Sequence, residues 1–541
     1  MIARRSASTE NSRRRLAAAA LTAVTAAAAL AACAREHHAG ADFSALLHGR
    51  RPIEARLAGA FPWAPCSPTP DRDGRRAAAR CSDPPAAAPI EPRVLIPASR
   101  STRGAPAGNA AESLHRRALR DLLLRGSETA AADAVAALTA AIAARPGEAA
   151  LRNDLGTAYY ERAMREREPR YLLSSYGAAA AALEIDPRLP AARFNRALVL
   201  ERLHLAAQAE RAWSEYLELD ADQASGWARE ARQRRDRLRL ASRPAASSNA
   251  GSALLRAARE ASDAGLLALV SANRQAAREL VLEDLLGQWG DEMVRHGRPL
   301  AAAVVPAGGD ALRMARRIAR SLAAAHGDGS AADAVAAIDR AAADPGGGER
   351  RRALALGHRA YRAGSAALRR STPEAAARQL KRAARLLARG GSRVAAAWAA
   401  AGLAGAHAYR SDYAAADNLF RSLLRGVDGQ RFPALRGRLA WGLGWSRGRQ
   451  GSLGVAYEQY QAAARAFELA GEAANLGNMQ LRLAEALSLL GEQKQAWRYR
   501  FAALADPAFT ADGTRFHHLL LDAATAAQED GEPAAALVLA K

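Results

Sequence analysis

A repeat of 40 residues in the last third of the chain constrains the fold more than any other feature. One position of this repeat is always alanine, at Ala376, Ala416, Ala456, Ala496 and Ala536. A turn position lies five residues earlier, at Ser371, Ser411, Gly451, Gly491 and Gly531, and a close-packing position holds Gly364, Ala404, Gly444, Ala484 and Ala524. A period of this length fits one helical hairpin, which must stack on its neighbours to bury its apolar face. The register therefore predicts an array of stacked hairpins.

A second repeated region lies earlier, over residues 113–236. Leu155, Gly156 and Tyr159 fit the first helix of a hairpin, and the turns at Asp186 and Asp220 lie 34 residues apart. This pattern resembles the tetratricopeptide (TPR) repeat, in which small residues let paired helices approach and large ones fill the gap. The resemblance implies about three hairpins with a concave groove that binds a protein or peptide.

Composition and charge agree with a helical chain and argue against nucleic acid as a partner. Half of the 541 residues are hydrophobic but only 5% are aromatic, and no alternating β pattern of useful length is present. The net charge is +22, yet only three of the 77 basic residues are lysines, and the arginines are spread over nearly every helix rather than gathered in one tract. We expect an all-α protein that does not bind nucleic acid.

The N-terminus has the pattern of an export signal. Arginines precede an apolar stretch from Leu16 to Ala32, which predicts a signal peptide over residues 1–32. Leu30-Ala31-Ala32-Cys33 resembles the lipobox of bacterial lipoproteins, which implies a lipid on Cys33. Since no Asp follows Cys33, this resemblance favours the outer membrane, facing the periplasm. An ordinary secretory signal is the alternative.

A linker rich in proline and arginine is predicted for residues 33–112, because no sustained helical period is present there. Phe61 and Trp63 indicate one short ordered element. In an oxidising compartment Cys66 and Cys81 either form a disulfide or remain free thiols.

The rest of the chain divides by its periodicity. Residues 113–236 form the first array, 237–350 a helical bridge without a period, and 351–541 the second array with its last unit incomplete. The predicted fold is thus an all-α, TPR-type helical-hairpin solenoid in two arrays joined by a helical bridge and preceded by a disordered linker.

Several short segments resemble the N-terminal part of bacterial CHAT-domain proteins, in which TPR arrays precede a caspase-like peptidase domain. These segments are Arg51 to Leu57, Tyr216 to Asp220, Ala277 to Leu286 and Leu483 to Leu487. The family's peptidase domain relies on a His and a Cys, and no cysteine follows Cys81.

The favoured interpretation is therefore a lipid-anchored scaffold without enzymatic activity, the non-catalytic half of a CHAT-type system with a separate peptidase chain as its partner. Two alternatives stay open: a truncated fragment of a CHAT cysteine peptidase, and an envelope-assembly TPR lipoprotein.

Candidate binding residues follow from the register of the first helices. In the second array Trp398, Arg438, Trp441 and Trp445 fall at groove-facing positions, and in the first array Asn153 and Asn195 do so. The tryptophans could instead be core residues and the asparagines helix-turn polar groups. No cofactor motif is present, and the adjacent pairs His37-His38 and His517-His518 are predicted to be surface histidines rather than metal ligands.

Overall fold

The computed structural model describes residues 51, 53–59, 63, 107–124, 129–219, 224–241, 250–295, 309–325 and 327–541. Cys33, Cys66, Cys81, the signal segment 1–32 and most of the linker 33–112 lie outside these residues. The chain divides into two compact units, the first comprising residues 1–243 and 527–541 and the second residues 244–526.

Up to residue 243, the described part of the first unit contains three helical hairpins and one further helix. Its helices up to residue 243 are α1 (Ala107–Leu124), α2 (Ala130–Ala144), α3 (Ala149–Arg165), α4 (Tyr171–Ile185), α5 (Pro190–Arg202), α6 (Ala206–Leu219) and α7 (Gly226–Ala241). Each helix packs mainly on the next one in sequence. This sequential packing is the arrangement that the 34-residue register predicts.

Small residues and aromatic rings hold these hairpins together in complementary ways. Gly156 in α3 lies so close to α4 that an added Cβ would be 3.2 Å from the carbonyl oxygen of Ser175, whose hydroxyl donates to the Gly156 carbonyl. Farther along, Phe194 of α5 makes edge-on contacts with Trp213 and Trp227 at ring-centroid distances of 4.9 and 5.0 Å. The close approach of α3 to α4 and the packing of aromatic rings around α5 together fix the positions of the helices in these hairpins.

The last residues of the chain belong to the first unit, although the 40-residue register places them in the second array. Helix α24 (Pro533–Leu539) packs on α4, and the carboxylate of Glu532 accepts a hydrogen bond from Ser174. A repeat register describes spacing along the chain, so it does not identify the neighbour against which a terminal helix packs.

The second unit begins with the predicted bridge. Its helices are α8 (Ala250–Glu260), α9 (Asp263–Ala272), α10 (Arg274–Glu279), a π-helical turn (Leu280–Leu285), α11 (Leu286–Arg295), α12 (Asp310–Ala324) and α13 (Ser330–Ala343).

Sequential hairpins follow the bridge helices in the second unit. They consist of α14 (Gly348–Arg369), α15 (Pro373–Arg389), α16 (Arg393–Tyr409), α17 (Tyr413–Gly426), α18 (Pro433–Arg449), α19 (Leu453–Ala470), α20 (Ala473–Leu489), α21 (Gln493–Leu504), the short α22 (Pro507–Thr510) and α23 (Gly513–Glu529), which ends within the first unit.

One hydrophobic core is shared by the bridge helices and the hairpins of the second unit. It includes Leu266 and Leu285 from the bridge, Ile318 from α12, and Leu354 and Leu435 from the hairpins, all of them at most 3% exposed. The bridge is therefore packed against the array that follows it, and its helices contribute to the same core.

The predicted fold class is confirmed for each unit: the described residues form TPR-type helical hairpins and contain no β-strand. Among the helices that the structure describes, none combines the length and apolarity that a membrane span requires.

The turn position of the 40-residue register has a common backbone conformation. All five residues there have left-handed φ values between 56° and 82°: Ser371, Ser411, Gly451, Gly491 and Gly531. Each follows the C-terminus of a first helix and reverses the chain into the second helix of its hairpin. The two serines carry a Cβ in a conformation that favours glycine.

This difference between the turns predicts opposite effects for two substitutions. Ser371→Gly should stabilise the protein by about 0.5–1 kcal/mol because it removes the left-handed penalty. Gly451→Ala should destabilise it by a similar amount, since an added Cβ at Gly451 would meet no atom within 4 Å and only the backbone conformation is penalised. Thermal unfolding followed by circular dichroism measures both, and shifts of the same sign would contradict the prediction.

Candidate functional site

A segment of the chain's own N-terminal region, residues 51–59, lies along the first helices of the first unit. We call the surface that holds it, formed by α1, α3, α5 and α7, the first groove. The segment adopts no helix, and Ile53, Glu54, Ala55 and Leu57 are at most 3% exposed. These residues fall within the predicted linker because an extended segment has no helical period, and its partners lie about 100 to 180 positions away.

Two asparagines hold the main chain of this segment. The carboxamide of Asn195 accepts from the Arg56 N–H at 2.7 Å and donates to the Arg56 carbonyl at 2.8 Å. Asn153 donates to the same carbonyl at 3.1 Å. The Asn195 side chain thus pairs with both polar groups of one residue, much as a neighbouring β-strand would. Asn153 and Asn195 are the asparagines that the register placed in the groove.

Hydrogen bonds within the groove orient these asparagines. The Asn195 amide also donates to the Asn153 side-chain oxygen and to the Thr157 hydroxyl, at 2.9 and 3.1 Å. Asn153 in turn donates to Asp154, whose same oxygen accepts from the Ala58 N–H at 2.7 Å. The groove therefore binds the main chain of the segment at a second residue, Ala58, through the Asp154 carboxylate.

His115 supports Asp154 from α1. Its Nε2 lies 2.7 Å from the second carboxylate oxygen of Asp154. Burial opposes protonation of His115, but the hydrogen bond to Asp154 and that carboxylate's charge outweigh it and raise the pKa of the imidazole above 6.5. The contact with His115 holds the Asp154 carboxylate in the orientation in which its other oxygen accepts from the segment.

The side chain of Glu54 occupies a pocket built for a carboxylate. The group is 1% exposed and accepts hydrogen bonds from Tyr160, Arg202 and Arg234, the last at 2.6 Å. Burial alone would raise the pKa of Glu54, but the charges of Arg234 and Arg202 hold it well below its ordinary value of 4.5. Glu54 is therefore ionised throughout the neutral and mildly acidic range.

Apolar and cationic contacts secure the segment on both sides of Glu54. Ile53 and Leu57 join the core formed by α1, α2 and α3. The guanidinium groups of Arg51 and Arg56 lie over the Trp227 ring at 4.6 and 5.0 Å from its centroid. The segment is thus held by apolar, cation–π, ionic and main-chain contacts at once.

The corresponding face of the second unit is partly covered by the bridge. We call the surface of the first helices α14, α16, α18 and α20 the second groove. Arg278 of α10 lies buried in it, donates to Glu472 at 2.7 and 3.2 Å, and stacks on Trp398 at 4.4 Å from the ring centroid. Burial opposes the charge on Arg278, but Glu472 outweighs it and raises the guanidinium pKa. A bidentate, stacked contact of this kind suits arginine better than lysine.

The four residues predicted to line the second groove differ in their surroundings. Trp398 is 5% exposed beneath Arg278, so it is not accessible to a partner in this structure. Trp441 and Trp445 are half-buried and Arg438 is exposed. Arg438 lies over Trp441 at 4.8 Å, and Trp445 lies 5.1 Å from the exposed ring of Tyr409. We call Tyr409, Arg438, Trp441 and Trp445 the aromatic patch.

Sequence reasoning missed the residues that recognise Glu54 and the pair formed by Arg278 and Glu472. Arginines and glutamates occur throughout the chain, so their pattern does not single these out.

The part of the chain that the structure describes contains no assembled metal site. In the ranges that the structure describes, no three His, Cys, Asp or Glu residues are gathered for a metal ion. His517 and His518 are exposed with ring centroids 6.5 Å apart, whereas His37 and His38 lie outside those ranges.

Comparisons with known proteins give only distant likenesses. No protein family and no curated protein sequence matches this chain. Among solved structures, the P58(IPK) TPR domain is 12% identical with a TM-score of 0.24, covering 71% of this chain and 98% of its own. Yeast Tom70 is 14% identical with a TM-score of 0.29, and the match covers 80% of this chain and 96% of Tom70. The APC/C hetero-tetramer Cut9-Hcn1 is 13% identical with a TM-score of 0.26, and the match covers 79% of this chain and 92% of the matched chain. The fold assignment therefore rests on the hairpins themselves.

The Glu54 pocket predicts a specific dependence of stability on pH. Because the pKa of Glu54 is lower in the folded than in the unfolded state, its stabilisation is complete above pH 4.5 and is lost as the pH falls further. Glu54→Gln should reduce stability near neutral pH and show a smaller further loss on acidification. Denaturant unfolding between about pH 7 and pH 3 measures this. Glu218→Gln, at an exposed position of α6, is the matched control, and an equal loss of stability in both variants would contradict the prediction.

The buried pair in the second groove predicts strong non-additivity. Arg278→Met should destabilise the second unit by about 3–5 kcal/mol because it leaves Glu472 buried without a counter-charge, and adding Glu472→Gln should recover part of that loss. The same cycle at Arg389 and Glu349, whose side chains are 68% and 85% exposed, should show a coupling below about 1 kcal/mol. Denaturant unfolding midpoints give the coupling, and additive losses at Arg278 and Glu472 would refute the assignment.

Proposed function

We propose that the protein is a scaffold that binds other proteins through its helical grooves. The observation that carries this proposal is the contact of Asn153 and Asn195 with the main chain of Arg56. Since carboxamides directed at a peptide N–H and C=O recognise any extended polypeptide, a groove built in this way is suited to holding protein segments.

The aromatic patch offers a partner an accessible surface on α16 and α18. Tyr409 is 65% exposed, and Arg438 places a cation beside Trp441. Tryptophan, tyrosine and arginine are the residues that most often carry binding energy at protein interfaces. A partner segment with acidic and apolar side chains fits this combination.

The finer parts of the proposal follow from the sequence. A lipid on Cys33 would anchor the chain in the cell envelope, with the outer membrane facing the periplasm as the favoured location. The resemblance to CHAT-domain proteins supports a separate peptidase chain as the partner, with this chain contributing no catalysis. Replacement by Cys33→Ser should then release the protein from the membrane fraction.

Site-specific photo-crosslinking in cells tests the scaffold function. Replacing Arg438 by p-benzoylphenylalanine should yield a discrete adduct with one partner after irradiation, and mass spectrometry should identify that partner. Introducing Trp445→Ala in the same chain should abolish the adduct, whereas Leu489→Ala, at a residue 71% exposed on the same unit, should leave it unchanged. Unchanged melting temperatures would show that each variant is folded.

Each outcome decides a different part of the proposal. A caspase-like peptidase chain in the adduct would support the association with proteolysis. Another protein would support the scaffold and contradict the peptidase partner. The absence of any adduct that depends on Trp445 would contradict binding through the aromatic patch.

A further inference from the structure

The first groove has the features of a ligand site, with the chain's own residues 51–59 as its ligand. We propose that this groove recognises an extended peptide carrying a glutamate, and that a partner segment of the same chemistry displaces the resident segment. The inference rests on the proposed scaffold function and deepens it by naming the site and the class of peptide.

The arginines that bind Glu54 also have partners outside the segment. Arg234, which contacts Glu54, also pairs with Glu201 and Glu230 at 3.2 and 3.0 Å. Arg202 donates to the Tyr160 hydroxyl at 2.9 Å. Removal of Glu54 therefore leaves the Arg234 guanidinium with carboxylate partners, unlike the removal of one member of an isolated buried pair.

Asn153, Asp154 and Asn195, which we call the main-chain clamp, likewise make contacts outside the segment. The Asn195 amide contacts Asn153 and Thr157, and Asp154 contacts His115, through bonds that do not involve the segment. A clamp whose side chains are already oriented loses little freedom when a peptide binds.

The contacts define a pattern for the peptide. Its first position, at Ile53, is apolar, and its second, at Glu54, is a carboxylate bound by two guanidinium groups. Its third, at Ala55, is small because that residue is 3% exposed. Its fourth, at Arg56, is bound through the main chain and through the guanidinium group, which lies over Trp227 and donates to the Tyr216 hydroxyl. Its fifth, at Leu57, is apolar again. The site thus selects an apolar–Glu–small–Arg–apolar segment.

Covalent linkage does not by itself hold the segment in place. Residues 60–106 separate Gly59 from Ala107, the first residue of α1, and a chain of this length would span well over 100 Å if it were extended. Trp63 in this stretch donates to Glu230 of α7 at 3.1 Å. The contacts in the groove therefore determine whether the segment is bound. An untethered peptide that makes the same contacts competes for the same site.

Cutting the chain between the segment and α1 tests this inference. A protease recognition sequence inserted between Ala86 and Ala87 allows the full-length protein to be cleaved after folding. A fluorescein-labelled peptide with the sequence of residues 51–59 is then added, and its binding is followed by fluorescence anisotropy. We expect saturable binding with release of the N-terminal fragment on gel filtration. The same peptide with Glu54→Gln should bind at least tenfold more weakly, since the carboxylate's charged hydrogen bonds are lost.

The variant Asn195→Ala distinguishes recognition of the peptide main chain from recognition of the glutamate side chain. Asn195→Ala should weaken the Glu and Gln peptides by a similar factor, because this side chain contacts the main chain that both peptides share. The preference for Glu over Gln should persist. Loss of that preference in Asn195→Ala would contradict a separate carboxylate pocket.

Three results would overturn the inference. The first is that the labelled peptide does not exchange with the resident segment although the chain is cut. The second is that the Glu and Gln peptides bind with equal affinity. The third is that release of the N-terminal fragment lowers the helical circular dichroism signal, which would show that the segment is part of the fold. These readouts concern the first groove alone. Peptide exchange without an adduct at Arg438 would contradict the aromatic patch but not this site, and the reverse result would contradict only this site.

Discussion

Each unit of this protein has a buried arginine–glutamate contact at the centre of its groove, and the positions of the segments that fill the grooves depend on it. In the first unit the filling segment contributes the acid, Glu54, and the hairpins contribute Arg202 and Arg234. In the second unit the signs are reversed, since Arg278 comes from the bridge and Glu472 from the start of α20. Because a buried charge is costly without its partner, each contact fixes one register of segment against groove.

Arginine suits these positions for a second reason, its planar shape. Guanidinium groups stack on Trp227, Trp398 and Trp497 while they pair with carboxylates. The ammonium group of lysine is compact and not planar, so it cannot stack on a ring while it forms a bidentate pair with a carboxylate. Part of the positive charge of +22 is therefore buried between helices, where it is unavailable to an external polyanion.

The sequence predicted the hairpins well because their signal is local and periodic. The left-handed turns at Ser371 and Gly451 occur where the register placed them. Asn153 and Asn195 contact the chain's own segment in the structure, and their binding of a partner stays a prediction. Contacts between distant parts of the chain could not be predicted in this way. Glu54 carries no periodic signal, and Trp398 shares a register with accessible residues although only the structure shows Arg278 covering it.

The sequence separation of the groove contacts has a consequence for folding. Glu54 and Arg234 are 180 positions apart, and Arg278 and Glu472 are 194 apart, whereas each hairpin closes over a few dozen residues. During synthesis the three hairpins of the first unit are made before α7, so residues 51–59 cannot yet contact that helix. High contact order delays such pairings, so the grooves fill late. A nascent chain would thus pass through a stage in which its helices are formed and its main-chain clamp is still open to other polypeptides.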